Sequence, residues 1–206
     1  MFLAGAGESQ IISLGAGTDT RAFRLRARGE KVRYHEFDFP DICAVKRGRV
    51  DDSTLVRLIG GQDRLREYFI HPLDLRTLGE KEATDFEGLK TDIPTLVISE
   101  CCLCYLQVKK AEEVITWFTE RIKSIGIILY EPMRVDDAFG QRMVENLAAR
   151  GVVMPTVQRY KTLDDQKDRL LGLGFGKFPQ QCMRSFPISA LRFALLIVTH
   201  CSDGYW

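Results

Sequence analysis

QIISLGAGTDTRAFRLRARGEKVRYHEFD, residues 10–38, decides the architecture of this 206-residue chain. Ile11, Ile12 and Leu14 form a short apolar run of the length a buried parallel strand needs. Gly15 and Gly17 let the backbone turn sharply and let a ligand approach it closely. Thr18, Asp19 or Thr20 can cap the helix that follows, with Ala22, Phe23, Leu25 and Ala27 on its apolar face. Strand character resumes from Val32 to Phe39. Asp38 lies 23 residues beyond Gly15, where an acid is placed to accept hydrogen bonds from ribose hydroxyls. A glycine pair alone would also suit a structural turn. Strand, helix and distal acid together point to an adenosine-type ligand.

Outward from this unit, the same alternation continues. Pro40 marks a turn, and DICAVKRGRV then reads as a helix. Residues 51–66 mix charge with Gly60-Gly61 and read as an excursion with some helix. Tyr68, Phe69 and Ile70 make a third strand, ended by Pro72, and the charged run 77–92 suits a surface helix or loop. TLVIS, residues 95–99, is a fourth strand running into Glu100. Ala111, Val114, Ile115, Phe118 and Ile122 recur at helical spacing over 108–123. Residues 125–130 supply a fifth strand, closed by Glu131-Pro132, and 139–150 and 162–173 two further helices. Five alternations predict an α/β fold, with a mostly parallel sheet covered by helices on both faces. RFALLIVT, 192–199, reads as a sixth strand, whereas 177–189 shows little periodicity.

Composition narrows the function. Hydrophobic residues make up 45%, ordinary for a globular chain, and the length fits one domain. Lys plus Arg number 29 against 28 Asp plus Glu, so no charge excess draws the chain to nucleic acid or membrane. No run reaches the 18 apolar residues of a membrane span, and MFLAGAGESQ lacks the basic region of a signal peptide. Three of the six cysteines crowd into CCLC at Cys101, Cys102 and Cys104, with no histidine at metal-ligand spacing. Reduced thiols of a cytoplasmic protein, without a metal, are the expectation.

In an open α/β sheet a ligand lies beyond the carboxyl ends of the strands. Gly15, Asp38, Asp74 and Glu100 stand at four successive strand ends in this reading. One acid at such a place is commonly a cap; several on neighbouring strands suggest a site.

LGAGTDTRAFRL followed by YHEFDFP resembles the leucine carboxyl methyltransferase family, whose members use S-adenosylmethionine. The turn GAG-TDT lacks the third glycine of the dinucleotide pattern, which argues against NAD. YEP at Tyr130, FGQRMVENL (139–147) and LDDQKDRLLGLGF (163–175) also look like family segments, so the resemblance covers about Gln10 to Phe175. It implies a Rossmann-like S-adenosylmethionine-dependent methyltransferase fold. One domain over 1–206 is expected, with a short leader at 1–9 and a divergent ending from 176 to 206. Family members carry a helical lid ahead of the glycine strand; its absence here implies slow turnover.

The resemblance also implies roles. Gly15 and Gly17 pack against the amino-acid part of the cofactor and Asp38 holds the ribose. Asp74 and Leu75 contact the adenine, and Glu100 reaches the methionine portion. The implied reaction methylates the α-carboxylate of a C-terminal leucine on the catalytic subunit of protein phosphatase 2A. That carboxylate, with a pKa of roughly 3.5, is already ionised and needs no general base. The enzyme must align it and exclude water. Arg76 and Tyr105 are the candidates to hold its other oxygen. A monomer is expected. A related carboxyl methyltransferase acting on the modified tRNA base wybutosine, and a non-catalytic phosphatase-binding module, are the alternatives.

Overall fold

In the computed structural model, β1 (Gln10–Leu14), β2 (Arg33–Asp38), β3 (Tyr68–Pro72), β4 (Thr95–Glu100) and β5 (Ser124–Met133) are the first five strands. They are joined by β6 (Met183–Ile188) and β7 (Leu191–Cys201) in one sheet. The structure describes residues 7–50, 53–133, 135–176, 183–188 and 191–201, the last two segments as backbone. The strand order is β3-β2-β1-β4-β5-β7-β6. β1 to β5 pair in parallel, whereas β7 runs antiparallel to both β5 and β6. From β1 the chain moves outward to β2 and β3, then crosses back to β4 on the other side. That reversal opens a crevice at the carboxyl ends of β1 and β4.

Side-chain alternation assigns the two faces of the sheet. Ile12 and Leu14 point to the same side as Phe37, Val97, Ile125 and Ile127, all essentially buried. Helix α4 (Val108–Arg121) covers them with Ala111, Val114, Ile115, Trp117 and Phe118. Each large side chain so buried contributes about 1.5–3 kcal/mol. The Trp117 indole would otherwise leave a polar N–H in this core, and it donates to the Lys81 carbonyl at 2.8 Å. Ile11, Tyr34 and Ile98 point to the opposite side, against Ala22 and Leu25 of α1 (Arg21–Ala27). The expectation of a sheet covered on both faces is met.

The helices that follow β2 are α2 (Pro40–Val50), opened by its proline, and the short α3 (Ser53–Leu58). After β5 come α5 (Ala138–Ala148), α6 (Pro155–Arg159) and α7 (Leu163–Gly172). Thr162 and Asp165 cap α7 reciprocally, each side chain accepting the other's backbone N–H.

Three details differ from the sequence reading. β5 does not close at Glu131-Pro132 but continues to Met133. β4 ends opposite Tyr130, so beyond that point β5 is paired through β7 alone, where a proline is tolerated. The charged run 77–92 holds two 3-10 turns, Leu75–Glu80 and Ala83–Asp85, anchored by buried Leu78 and Phe86. The aperiodic stretch 177–189 contains β6, although residues 177–182 and 189 lie outside the described residues.

Candidate cofactor cleft

The turn after β1 is shaped by two left-handed glycines, Gly15 at φ +62° and Gly17 at φ +47°. Gly15 has a second reason to be glycine. A Cβ there would stand 2.6 Å from the Cys102 Sγ and 2.9 Å from its Cβ. The Gly15 N–H donates to the Phe37 carbonyl at 2.8 Å, and the Gly17 N–H donates to Asp38 Oδ2 at 2.7 Å. Asp38 Oδ1 accepts from the Phe39 N–H at 2.8 Å. The carboxylate is therefore oriented by both the glycine turn and its own strand end. Each of its oxygens keeps a second lone pair for another donor.

At the end of β3, Asp74 caps the Leu75–Glu80 turn by accepting from the Arg76 N–H at 3.0 Å. The Arg76 guanidinium folds back on the same carboxylate, with Nε 2.9 Å from both oxygens and Nη2 2.5 Å from Oδ2. Its hydrogen bonds hold the Asp74 carboxyl below the usual range. After β4 the chain makes a tight turn in which Cys101, a non-glycine residue, takes φ +47°. Its N–H donates to the Tyr130 carbonyl at 2.9 Å, and a short 3-10 turn, Leu103–Tyr105, follows.

These strand ends enclose a cleft of about 470 Å3. It brings together six of the predicted residues: Gly15, Asp38, Asp74, Leu75, Arg76 and Tyr105. Gly17 lines an adjacent groove between the start of α1 and α2 instead. Glu100 stands beside the cleft rather than on its wall, 53% exposed, with Oε2 3.0 Å from Nη2 of Arg21. Arg21 Nε also pairs with Asp19 Oδ2 at 2.8 Å. The resemblance sets Asp74 against adenine, with Arg76 a candidate to hold a substrate carboxylate. The structure joins them in one ion pair, because opposite charges two residues apart on a tight turn meet.

Phe39, Leu73, Leu106, Gln107 and Val153 also line the cleft and were not expected there from sequence, which reads Phe39 as a core residue although it is exposed. Phe39 follows Asp38 directly, so its place was readable; Val153 arrives from the loop after α5, which no strand-end argument reaches. Phe39, Tyr105 and Val153 are among the largest exposed apolar side chains, so the mouth of the cleft is greasy. Cys101 and Cys102 form part of its lining, and burial pushes their thiols up to about 11 and about 12. They are neutral small apolar groups at physiological pH. Among the described residues no group of three or more His, Cys, Asp or Glu could hold a metal ion.

The strand order, glycine turn and acid-bearing strand ends define a Rossmann-like domain of the methyltransferase type. The fold superposes with a TM-score of 0.64 on an O-methyltransferase family protein from Burkholderia thailandensis, at 18% identity over 98% of this chain and 53% of that one. A family model, Leucine carboxyl methyltransferase, matches residues 2–119. Leucine carboxyl methyltransferase 1 of Yarrowia lipolytica is 39% identical over 178 residues, 81% of this chain and 54% of that protein. The tRNA wybutosine-synthesizing protein 4 of Homo sapiens is 34% identical over 81% of this chain and 26% of its own length. The chain belongs to the leucine carboxyl methyltransferase family. It spans about half the length of the leucine carboxyl methyltransferase 1 relative it matches.

Proposed function

We propose that this chain binds S-adenosylmethionine in the cleft and serves methyl transfer to the α-carboxylate of a C-terminal leucine. The protein phosphatase 2A catalytic subunit is the proposed partner. The observation that carries the reading is the joint placement of Gly15 and Asp38. A backbone that admits a ligand closely stands beside an oriented carboxylate with lone pairs to spare. That pair suits a nucleoside with a free ribose diol. Leu75 and Asp74, on the cleft wall, are the side chains we assign to the adenine, and the Arg21–Glu100 pair carries both signs that an amino-acid zwitterion requires.

The cofactor, when bound, supplies a methyl group on a sulfonium. The chain's own residues then have two tasks, alignment and water exclusion. Burial raises the Tyr105 hydroxyl, which keeps its proton and can donate to a carboxylate oxygen. Arg76 uses Nε and Nη2 on Asp74, so Nη1 of its fork is the face offered to substrate. The apolar mouth suits the leucine side chain. No general base is required, which agrees with a cleft whose thiols stay protonated.

The same reading makes residues 1–206 a single methyltransferase domain that works as a monomer in the cytoplasm, where the free thiols Cys43, Cys101, Cys102 and Cys104 persist. No helix among the described residues is long and apolar enough to cross a membrane. The test is radiolabelled methyl transfer to purified phosphatase, with a tail lacking the terminal leucine as control. Label that requires the leucine supports the reading. Label on wybutosine-precursor tRNA instead would favour the second reading, which the human relative's identity motivates. Cofactor binding with transfer to neither would mark a non-catalytic module.

A further inference from the structure

Glu131 follows Tyr130 on β5 and is only 2% exposed. Neither of its carboxylate oxygens has a hydrogen-bond partner among the described residues. Arg169 of α7, 6% exposed, is the cation nearest to it in effect, and its Nε and Nη2 are also without partners. Its Nη1 is 3.3 Å from the Gln166 side-chain oxygen, and the guanidinium lies 4.8 Å from the Tyr160 ring centroid. A buried polar group left unsatisfied destabilises the folded chain, so stability alone does not explain an acid here.

Its surroundings do. Tyr130, the preceding residue, accepts the Cys101 N–H and so anchors the strained turn that walls the cleft. Thr156 of α6 holds the same turn from the side, donating to the Leu103 carbonyl at 3.2 Å. The Cys104 N–H favours the charged carboxylate without completing a hydrogen bond to it.

We propose that Glu131 is a positioning residue of the cleft, and that gain or loss of its proton moves the Cys101–Tyr105 turn and with it the affinity for cofactor. The neutral acid fits the observed arrangement, apart from Arg169. The ionised acid is drawn toward Arg169 and pulls its support from the turn. Burial pushes its carboxyl up to about 7, against the pull of Arg169 and the Cys104 N–H. The charged and titratable groups that interact with it are Arg169 from α7 and the thiols of Cys101, Cys102 and Cys104 beyond the end of β4. Of these thiols none ionises near neutrality, since burial raises all three.

The inference rests on the cofactor reading, and its test separates the two. S-adenosylhomocysteine is titrated into the wild-type chain, Glu131→Gln and Arg169→Gln between about pH 6 and about pH 8. Wild-type affinity is expected to fall by about threefold to tenfold across that range. The Glu131→Gln variant should bind as tightly as wild type at the acid end and stay flat. Loss of the cation in Arg169→Gln should shift the midpoint to higher pH. Equal slopes in wild type and Glu131→Gln overturn the proposal. If wild type binds at no pH, the cofactor reading fails by itself. Hydrogen exchange at residues 101–105 of the unliganded chain then decides on Glu131. Protection that drops from pH 6 to pH 8 in wild type but not in Glu131→Gln upholds it; protection that is unchanged, or that drops equally in both, overturns it.

Discussion

Gly15 and Cys102 are in such close contact that one added methyl on Gly15 would meet the Cys102 sulfur at 2.6 Å. The contact locks the turn after β1 to the turn after β4, the two edges of the crevice. It also explains why the glycine turn and the cysteine cluster, far apart in sequence, belong to one feature.

Gly15→Ala should therefore be costly twice over, through the φ of +62° and through the clash. We expect a loss of about 1–3 kcal/mol in unfolding free energy. Adding Cys102→Gly removes the sulfur and Cβ and should recover the steric part, leaving the backbone strain. Urea denaturation of the three proteins checks this. Equal stability of Gly15→Ala and wild type would show that the turns are not locked.

The five-fold alternation was legible because each strand's apolar run ends at a glycine, proline or acid. β6 was not, since MRSFPI has neither alternation nor a continuous apolar run, and PTVQR of α6 is too short to show a helical period. The strand-end residues of the cleft were legible because topology alone brings strand ends together. The pairings Asp74–Arg76 and Glu100–Arg21 depend on side-chain direction, which spacing does not reveal. Nor did the sequence show Asp38 as a structural tie.

That tie changes what Asp38→Ala should do. A pure ribose ligand would leave the unliganded protein nearly untouched. Here the substitution strips acceptors from the Gly17 and Phe39 N–H groups, and about 1–3 kcal/mol of unliganded stability should go with them. Cofactor affinity should fall by about tenfold to a hundredfold in addition, from the unpaired hydroxyls. Thermal unfolding and calorimetry read the two effects separately. An unchanged affinity would remove Asp38 from the site.

Stability should decline in mild acid. His35 Nδ1 and His71 Nε2 stand 3.0 Å apart, and burial lowers the two to about 3 and about 4. Unfolded, each titrates near 6.5. Below that pH the unfolded chain binds protons that the folded chain refuses, so stability falls as pH drops from 6.5 toward 4. The loss should reach on the order of 1 kcal/mol or more by about pH 5. Replacing both histidines with Gln should remove that decline and leave the opposite slope of Glu131, which the folded chain protonates below about pH 7. A double variant whose stability falls in mild acid as steeply as wild type would contradict the neutral pair.

Lys46 and Glu36 form a buried ion pair beneath α2, with Nζ 2.5 Å from Oε2 and the Tyr68 hydroxyl donating to the same carboxylate. Lys46→Met leaves the acid buried without its cation and should cost about 3–5 kcal/mol. The double change Lys46→Met with Glu36→Gln should cost less than the single one. Additive losses would mean that the two charges do not interact.

The central claim is that this cleft receives an adenosyl amino acid. Calorimetric titration of the unmodified chain with S-adenosylhomocysteine, and in parallel with NAD, tests it most directly. The account predicts saturable binding of S-adenosylhomocysteine at one site per chain, tighter than NAD and weakened by Asp38→Ala. Tighter binding of NAD, or no heat from S-adenosylhomocysteine, would contradict it.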